Sequence, residues 1–196
     1  MILTDEQIDR YSRQIIVPHI GGRGQERLLA ARILLVGDAR DIEAPLAYLV
    51  GAGVGTITVR LPEQSGFAKN IGAAHKLNPD VSVTLADGAQ GRVDLALLIL
   101  GTEAARKLVD DIDDVRALVI ARLDAPGRIA IIPETQGARV IDESRLAAVG
   151  TRTEAADFIA MLATAEAFKL LAGYDENPSR ALIEFDGYET RVRANP

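Results

Sequence analysis

The residues best placed to do chemistry form one short turn, Gly37-Asp38-Ala39-Arg40-Asp41-Ile42. It joins an apolar run of β-formers, Ile33 to Val36, to a helix from Glu43 to Val50 with apolar residues at helical spacing, Leu46, Leu49 and Val50. Where a buried parallel strand turns into a helix, phosphate groups bind, because the first helical N–H groups and the helix dipole favour an anion. Such a turn should be rich in glycine, so that the backbone can approach the phosphate closely. This one holds a single glycine and two carboxylates. Asp38 and Asp41 put negative charge where phosphate would lie, and their commoner use is to cap the following helix. Arg40 can contact an anion, or stand as a solvated surface residue.

Other chemistries are excluded by composition. The chain has no cysteine, which removes thiol nucleophiles, disulfides and cysteine zinc sites. His19 and His75 lie far apart and belong to no ligand-spaced cluster, so neither zinc nor another structural metal is expected. A net charge of −6 and a pI near 5.0 argue against non-specific nucleic-acid binding. No apolar run reaches membrane-spanning length. The opening MILTDEQIDR lacks the apolar core of a signal peptide. A cytoplasmic protein without membrane association is therefore expected.

The elements that must position the turn can be read on either side of it. Gly51, Gly53 and Gly55 close the helix, and Thr56 to Val59 form a second strand. Strand, helix and strand of this length make the first half of a Rossmann-type sheet. Upstream, Thr4 and Gln7 make a capping box for a helix carrying Ile8, Tyr11, Ile15 and Ile16, which Pro18 ends. Gly21, Gly22 and Gly24 read as a mobile loop before a short helix from Gln25 to Ala31. Downstream, Ala68 to Leu77 is a helix that stops before Asn78-Pro79. Val81, Val83 and Leu85 alternate as a strand, and the run Asp94 to Leu100 is a central one. Thr102 caps a helix to Val109 with Glu103 in its first turn. Asp110 to Asp114 is an acidic turn, and Ala117 to Ile120 another buried strand. Ile129 to Ile132 and Arg139 to Ile141 read as antiparallel strands. Ala155 to Leu171 is a long helix with a broad apolar face that includes Phe158, Ile159, Leu162 and Phe168. Ala181 to Phe185 and Tyr188 to Val192 flank the hairpin signal Asp186-Gly187.

The whole predicts an α/β protein: a Rossmann-like, mostly parallel sheet with helices on both faces, and antiparallel strands added at the C-terminal side. Its 196 residues suit one domain, with N-terminal helices over 1–30, a Rossmann-like half over 31–126, and antiparallel strands with a long helix over 127–196. The aromatic share is 4%, so the core must be aliphatic.

These segments, in this order, resemble the ThiF/MoeB/HesA family, bacterial relatives of ubiquitin-activating enzymes. Arg10 to Ile16 (RYSRQII) resembles the family's RYxRQI opening, and Gly24-Gln25-Glu26-Arg27-Leu28 its GQxxL. Gly51 to Gly55 resembles its AGVG segment and Leu77-Asn78-Pro79 its N-P. Ala165 to Tyr174 is similar to its C-terminal helix, and Ile183 to Asp186 to its last strand and turn. The resemblance implies binding of ATP and magnesium, and adenylation of the C-terminal Gly-Gly of a ubiquitin-like sulfur-carrier protein. It also implies a homodimer in which an N-terminal arginine reaches the partner's nucleotide, or pairing with another ThiF-family subunit that completes the site.

Residue by residue, the resemblance is uneven. Arg13 stands where the family has its reaching arginine. Gly37 is the one glycine left of the phosphate loop. Leu61 replaces the acid that holds ribose, and Glu63 falls at a second acidic position. The stretch between Glu63 and Leu77 is shorter than the family's, and Lys69 is its only lysine before that helix ends in Lys76-Leu77. Glu103, in Gly101-Thr102-Glu103, stands where an aspartate would hold magnesium. No catalytic residue is assigned outright; Arg13 and Glu103 are the candidates, and Gly37, Asp38, Arg40, Glu63 and Lys69 are candidate nucleotide contacts. No cofactor is assigned outright either; ATP and magnesium are what the resemblance implies, without zinc.

Losses therefore fall on ligand-contacting positions while fold-bearing motifs persist. The expected reading is a degenerate ATP site in a non-catalytic scaffold or partner-binding homodimer. The alternative is an active adenylyltransferase relying on Arg13, Arg40, Lys69 and Glu103. Against it, loss of even one preorganised charge-stabilising donor costs ~10²–10³ in rate. A dinucleotide-binding oxidoreductase ranks last, because both the glycine turn and the ribose carboxylate are missing.

Overall fold

In chain order the elements are α1 (Asp5–Ile15), α2 (Gly21–Ala30), β1 (Arg32–Gly37), α3 (Ala39–Ala52), β2 (Thr56–Arg60), α4 (Ala68–Leu77) and β3 (Ser82–Leu85). There follow β4 (Val93–Leu100), α5 (Glu103–Lys107), β5 (Val115–Arg122), β6 (Gly127–Ile132), α6 (Ala156–Ala172), β7 (Ala181–Phe185) and β8 (Thr190–Ala194). This computed structural model describes residues 3–64, 66–86, 91–109, 112, 114–134, 150–174, 180–185 and 189–194.

All eight strands belong to one sheet, in the order β3-β2-β1-β4-β5-β6-β7-β8. The first five in that order are parallel, and β6, β7 and β8 join antiparallel. The apolar runs read from the sequence are the central strands: β1 lies between β2 and β4, and β4 between β1 and β5. One core packs α3, α4 and α6 against a sheet face through Ile33, Leu35, Leu97 and Ile99; α5 covers the other face through Leu34, Val36, Leu98 and Ala105. The expected α/β architecture, with helices on both faces and antiparallel strands on the C-terminal side, is the one observed.

Local signals worked where they were local. Thr4 and Gln7 form both bonds of the capping box, and Thr102 Oγ1 accepts from the Ala105 N–H. Helix α4 has the bounds that Asn78-Pro79 implied. Gly53 caps α3 with φ 84°, a conformation in which its Cβ would also lie 2.7 Å from the Tyr11 ring.

Three expectations need correction. Gly21 to Gly24 are not a loop but the first turns of α2, which packs closely on α6: a Cβ on Gly24 would lie 3.2 Å from the Ala172 carbonyl oxygen. The close approach that glycine permits outweighs its poor helix propensity. Helix α3 begins at Ala39 rather than Glu43, so Arg40 and Asp41 are helical. Phe158 does not pack the core face of α6: it is 54% exposed, while Ala156, Ile159, Ala160, Ala163 and Ala167 make the buried stripe. The expected strand at 139–141 and the turn at Asp186-Gly187 lie outside the described residues, although β7 and β8 pair in register from Phe185 opposite Thr190. Among the described residues, no helix is long and apolar enough to cross a membrane.

Candidate functional site at the carboxyl ends of the parallel strands

In a doubly wound sheet, ligands sit beyond the carboxyl ends of the strands, where the connections diverge. Here β1 and β4 end side by side, Gly37 opposite Ile99. Gly37 is buried, and a Cβ on it would meet Ile42 Cγ2 at 2.5 Å and the Ile99 carbonyl oxygen at 2.7 Å. Asp38 occupies the N-cap position of α3 with extended backbone, but its carboxylate accepts no bond from the helix. It accepts instead from the Thr102 hydroxyl at 2.8 Å. Thr102 thus donates to Asp38 while accepting from the Ala105 N–H, and so ties the start of α3 to that of α5. The helix-capping role expected of Asp38 is corrected accordingly.

Asp41 does not cap either. It lies in the first turn of α3 and is only 6% exposed. Arg152 Nη2 donates to its Oδ1 at 2.7 Å and to Asp157 Oδ1 at 2.8 Å. A Cβ on Gly101, just past β4, would run into the other Asp41 oxygen. The sequence keeps a glycine there because the carboxylate fills that space. Burial works to lower the Arg152 pKa, but its bonds to Asp157 and Asp41 outweigh this and raise it. Asp157 is held below the usual carboxylate range by the Arg152 hydrogen bond and charge, with a smaller contribution from Arg40.

Arg152 is brought there by the segment that runs beside the end of β5. Asp124 and Arg152 form an isolated antiparallel bridge; the Thr153 N–H donates to the Leu123 carbonyl at 2.8 Å and the Ala125 N–H to Thr151 at 3.1 Å. Beneath it is a second ion pair. Arg122 and Asp124 are each 7% exposed, and the guanidinium donates through both Nε and Nη2, at 3.0 and 2.5 Å. Burial alone would raise the Asp124 pKa. The Arg122 hydrogen bond and the Gly150 N–H, at 3.1 Å, hold it below its ordinary 3.8.

The remaining candidates do not converge on this group. Arg40 is exposed on α3 and acts on it only through its charge near Asp157. Glu103 pairs with Arg106 at 2.6 Å within α5. Glu63 lies exposed in the loop after β2, and Lys69 is exposed on α4. Leu61 is 3% exposed and part of the main core, so it serves packing. Arg13 is exposed in the last turn of α1, two residues from Tyr11. Tyr11 bonds Asn78 and Asp80 ahead of β3, which places α1 at the opposite edge of the sheet from Gly37. Sequence reasoning missed Arg122, Asp124, Arg152 and Asp157. For Arg122 a signal exists, a charge closing an apolar strand. Arg152 lies 111 residues from Asp41, and no local pattern links them.

No family model matches the chain. Curated relatives match a segment of it. The sulfur carrier protein adenylyltransferase of Thermus thermophilus is 51% identical over 57 residues, 29% of this chain and 21% of that protein. The probable adenylyltransferase/sulfurtransferase MoeZ of Mycobacterium tuberculosis is 50% identical over 58 residues, 29% of this chain and 14% of its own length. The adenylyltransferase and sulfurtransferase uba4 of Aspergillus fumigatus is 54% identical over 56 residues, 28% and 11% of the two chains. The matches therefore span only 11–21% of these relatives' lengths. Among solved structures, E. coli MccB with MccA-N7isoASN covers 98% of this chain and 74% of its own, at TM-score 0.65 and 15% identity. PaaA covers 98% and 75%, at TM-score 0.61 and 15% identity. At such identity the likeness is one of fold: a ThiF-like Rossmann protein. Over the matched segment, about 29% of the chain, the sequence is similar to sulfur-carrier adenylyltransferases at about half identity.

Proposed function

We propose that this chain is a ThiF/MoeB-family protein that has given up ATP-dependent activation and works as a partner-binding scaffold, as a homodimer. One observation carries the reading: the Asp41 carboxylate, buried at the strand ends and neutralised by Arg152. A triphosphate with magnesium needs N–H and cationic donors for its phosphates and a carboxylate available to the metal. The residues present do not fit that group. Asp38 contributes repulsion, Asp41 is taken up by Arg152, Arg152 is committed to two carboxylates, and Glu103 is committed to Arg106.

A second reading has its own support. The relatives that match at about 50% identity are named as adenylyltransferases, two of them also as sulfurtransferases and one as acting on a sulfur carrier protein. On that reading Arg13 would reach from a partner protomer, and Arg40, Lys69 and Glu103 would serve the nucleotide. Calorimetry with Mg-ATP and ATP–pyrophosphate exchange in the presence of a ubiquitin-like sulfur-carrier protein separate the two. We expect no heat of binding at millimolar Mg-ATP and no exchange. Clear exchange overturns the scaffold reading. Sedimentation tests the homodimer, and a monomer at high concentration removes it.

A further inference from the structure

A second feature lies on the other edge of the sheet, where the parallel strands begin. There the α1–α2 connection, the first residues of β4 and β5, and the end of α6 enclose an open groove of about 1060 Å³. Its charge is at odds with the chain. The protein carries −6 overall, yet three arginines, Arg23, Arg27 and Arg116, line the groove against one carboxylate, Asp94. That carboxylate is already used: its Oδ2 accepts from the Arg32 N–H at 2.9 Å. His19, Arg23, Arg27 and Arg116 are all exposed. Arg27 spends one long bond, 3.4 Å, on the Ala172 carbonyl; among the described residues Arg23 and Arg116 have no carboxylate partner.

Apolar surface interrupts the cations. Ile16 is 79% exposed and Val17 37%, both at the groove. His19 is held by an edge contact with Tyr174, ring centroids 5.4 Å apart, so its ring is positioned. The volume is at or above the ~300–1,000 Å³ usual for small-molecule sites, and a lining of separated cations and aliphatic side chains suits an extended chain rather than a compact ligand.

We infer that this groove is a docking site for an acidic peptide segment of a partner protein, with glutamate or aspartate side chains meeting Arg23, Arg27 and Arg116 and aliphatic ones covering Ile16 and Val17. The site is remote from Asp41 and independent of whether the strand carboxyl ends hold a nucleotide.

The test is fluorescence anisotropy with the full chain and a short fluorescein-labelled peptide that alternates glutamate and leucine. Binding is expected, weakening as salt rises. Arg23→Glu and Arg116→Glu, each at an exposed position, are each expected to weaken it about five- to tenfold, the scale of a surface ion pair turned into a repulsion. Mg-ATP calorimetry on the same variants should read as for the parent, which separates this site from the strand-end reading. The inference is overturned by any of four results: no binding at millimolar peptide; equal binding of the lysine–leucine counterpart; no effect of either reversal; or tighter binding of a single-stranded oligonucleotide. It is likewise overturned if sedimentation shows that Arg23→Glu dissociates a dimer, for then a second copy fills the groove.

Discussion

The two edges of the parallel sheet are held by different means. Where the strands begin, hydrogen bonds between distant segments do most of the holding, with the Arg10–Asp80 ion pair beside them. The Tyr11 hydroxyl, on a side chain 1% exposed, bonds Asn78 and Asp80; Asn78 Nδ2 donates to the Val50 carbonyl at 2.8 Å; Gln25 Nε2 donates to the Ala52 carbonyl at 3.1 Å. Where the strands end, charges are held by charges: Asp41 by Arg152 and Asp124 by Arg122. The first edge is built from the very motif residues by which the chain resembles its family. Tyr11, Gln25, Gly53 and Asn78 pin α1, α2, α3 and α4 together there. The second edge is where the resemblance implied ATP contacts, and it carries the ion pairs Asp41–Arg152 and Asp124–Arg122. The presence of those motifs is therefore accounted for by the contacts that hold the fold.

If that division is right, the largest loss of stability comes from the first edge. Tyr11→Ala empties a fully buried site and removes the hydroxyl partner of Asn78 and Asp80. Removing a buried aromatic side chain costs about 3–5 kcal/mol. Urea unfolding should show a loss of that size, and one below about 1 kcal/mol would mean that α1 is a decoration rather than a clamp.

The edges should also fail at opposite ends of the pH scale. Burial, aided by Asp80, pushes the Tyr11 pKa up from 10.0 to about 12, although the Asn78 bond opposes it. A group whose pKa is raised on folding stabilises fully below its unfolded value and loses that contribution as pH climbs through the folded one. Stability should therefore fall between pH 10 and about 12, and Tyr11→Phe should flatten that arm. The Asp124 pKa is lowered, so its contribution is present above 3.8 and lost as pH falls below it. Asp124→Asn should flatten the acid arm alone. Thermal melts across pH check both; one variant that altered both arms would show that the edges are not separable.

What the sequence disclosed follows the same division. The apolar strands, the Thr4 and Thr102 caps and the stop at Asn78-Pro79 depend on neighbours in sequence, and they were readable. So was the scarcity of glycine at Asp38 to Ile42, because a turn's residue types are local. The occupant of that turn was not readable. Arg152 reaches Asp41 only because residues 150–153 pair with the end of β5, and that pairing exists only in the folded chain. The helical character of Gly24 was hidden for a like reason, since glycine is favoured there by the approach of α6. Phe158 was misassigned because helical spacing alone does not choose between two apolar flanks of α6.

The next prediction probes the strand-end ion pair. Breaking a buried pair by removing one partner costs ~3–5 kcal/mol, but the Arg152 side chain is 28% exposed and Asp157 shares it, so Arg152→Ala should cost about 1–3 kcal/mol. Arg152→Met with Asp41→Leu, which removes both charges, should recover most of that loss. A double variant no more stable than Arg152→Ala would mean that Asp41 is fixed by something besides the arginine.

The smallest effect is expected at Asp38, and it tests the division most directly. Because its carboxylate makes no helix cap, replacing it forfeits only the exposed Thr102 bond and some favourable charge near the start of α3, together about 0.5–1 kcal/mol. Asp38→Gly should lie at the lower end of that range, since glycine is tolerated at an N-cap. It also restores a glycine to the turn and removes one of its two negative charges. Mg-ATP should still not bind, because Asp41 and Arg152 stay in place beside Gly101. Calorimetry on this single variant is decisive. A measurable Mg-ATP affinity would show that one carboxylate alone separated the strand ends from a working nucleotide site, and the proposed scaffold reading would fall with it.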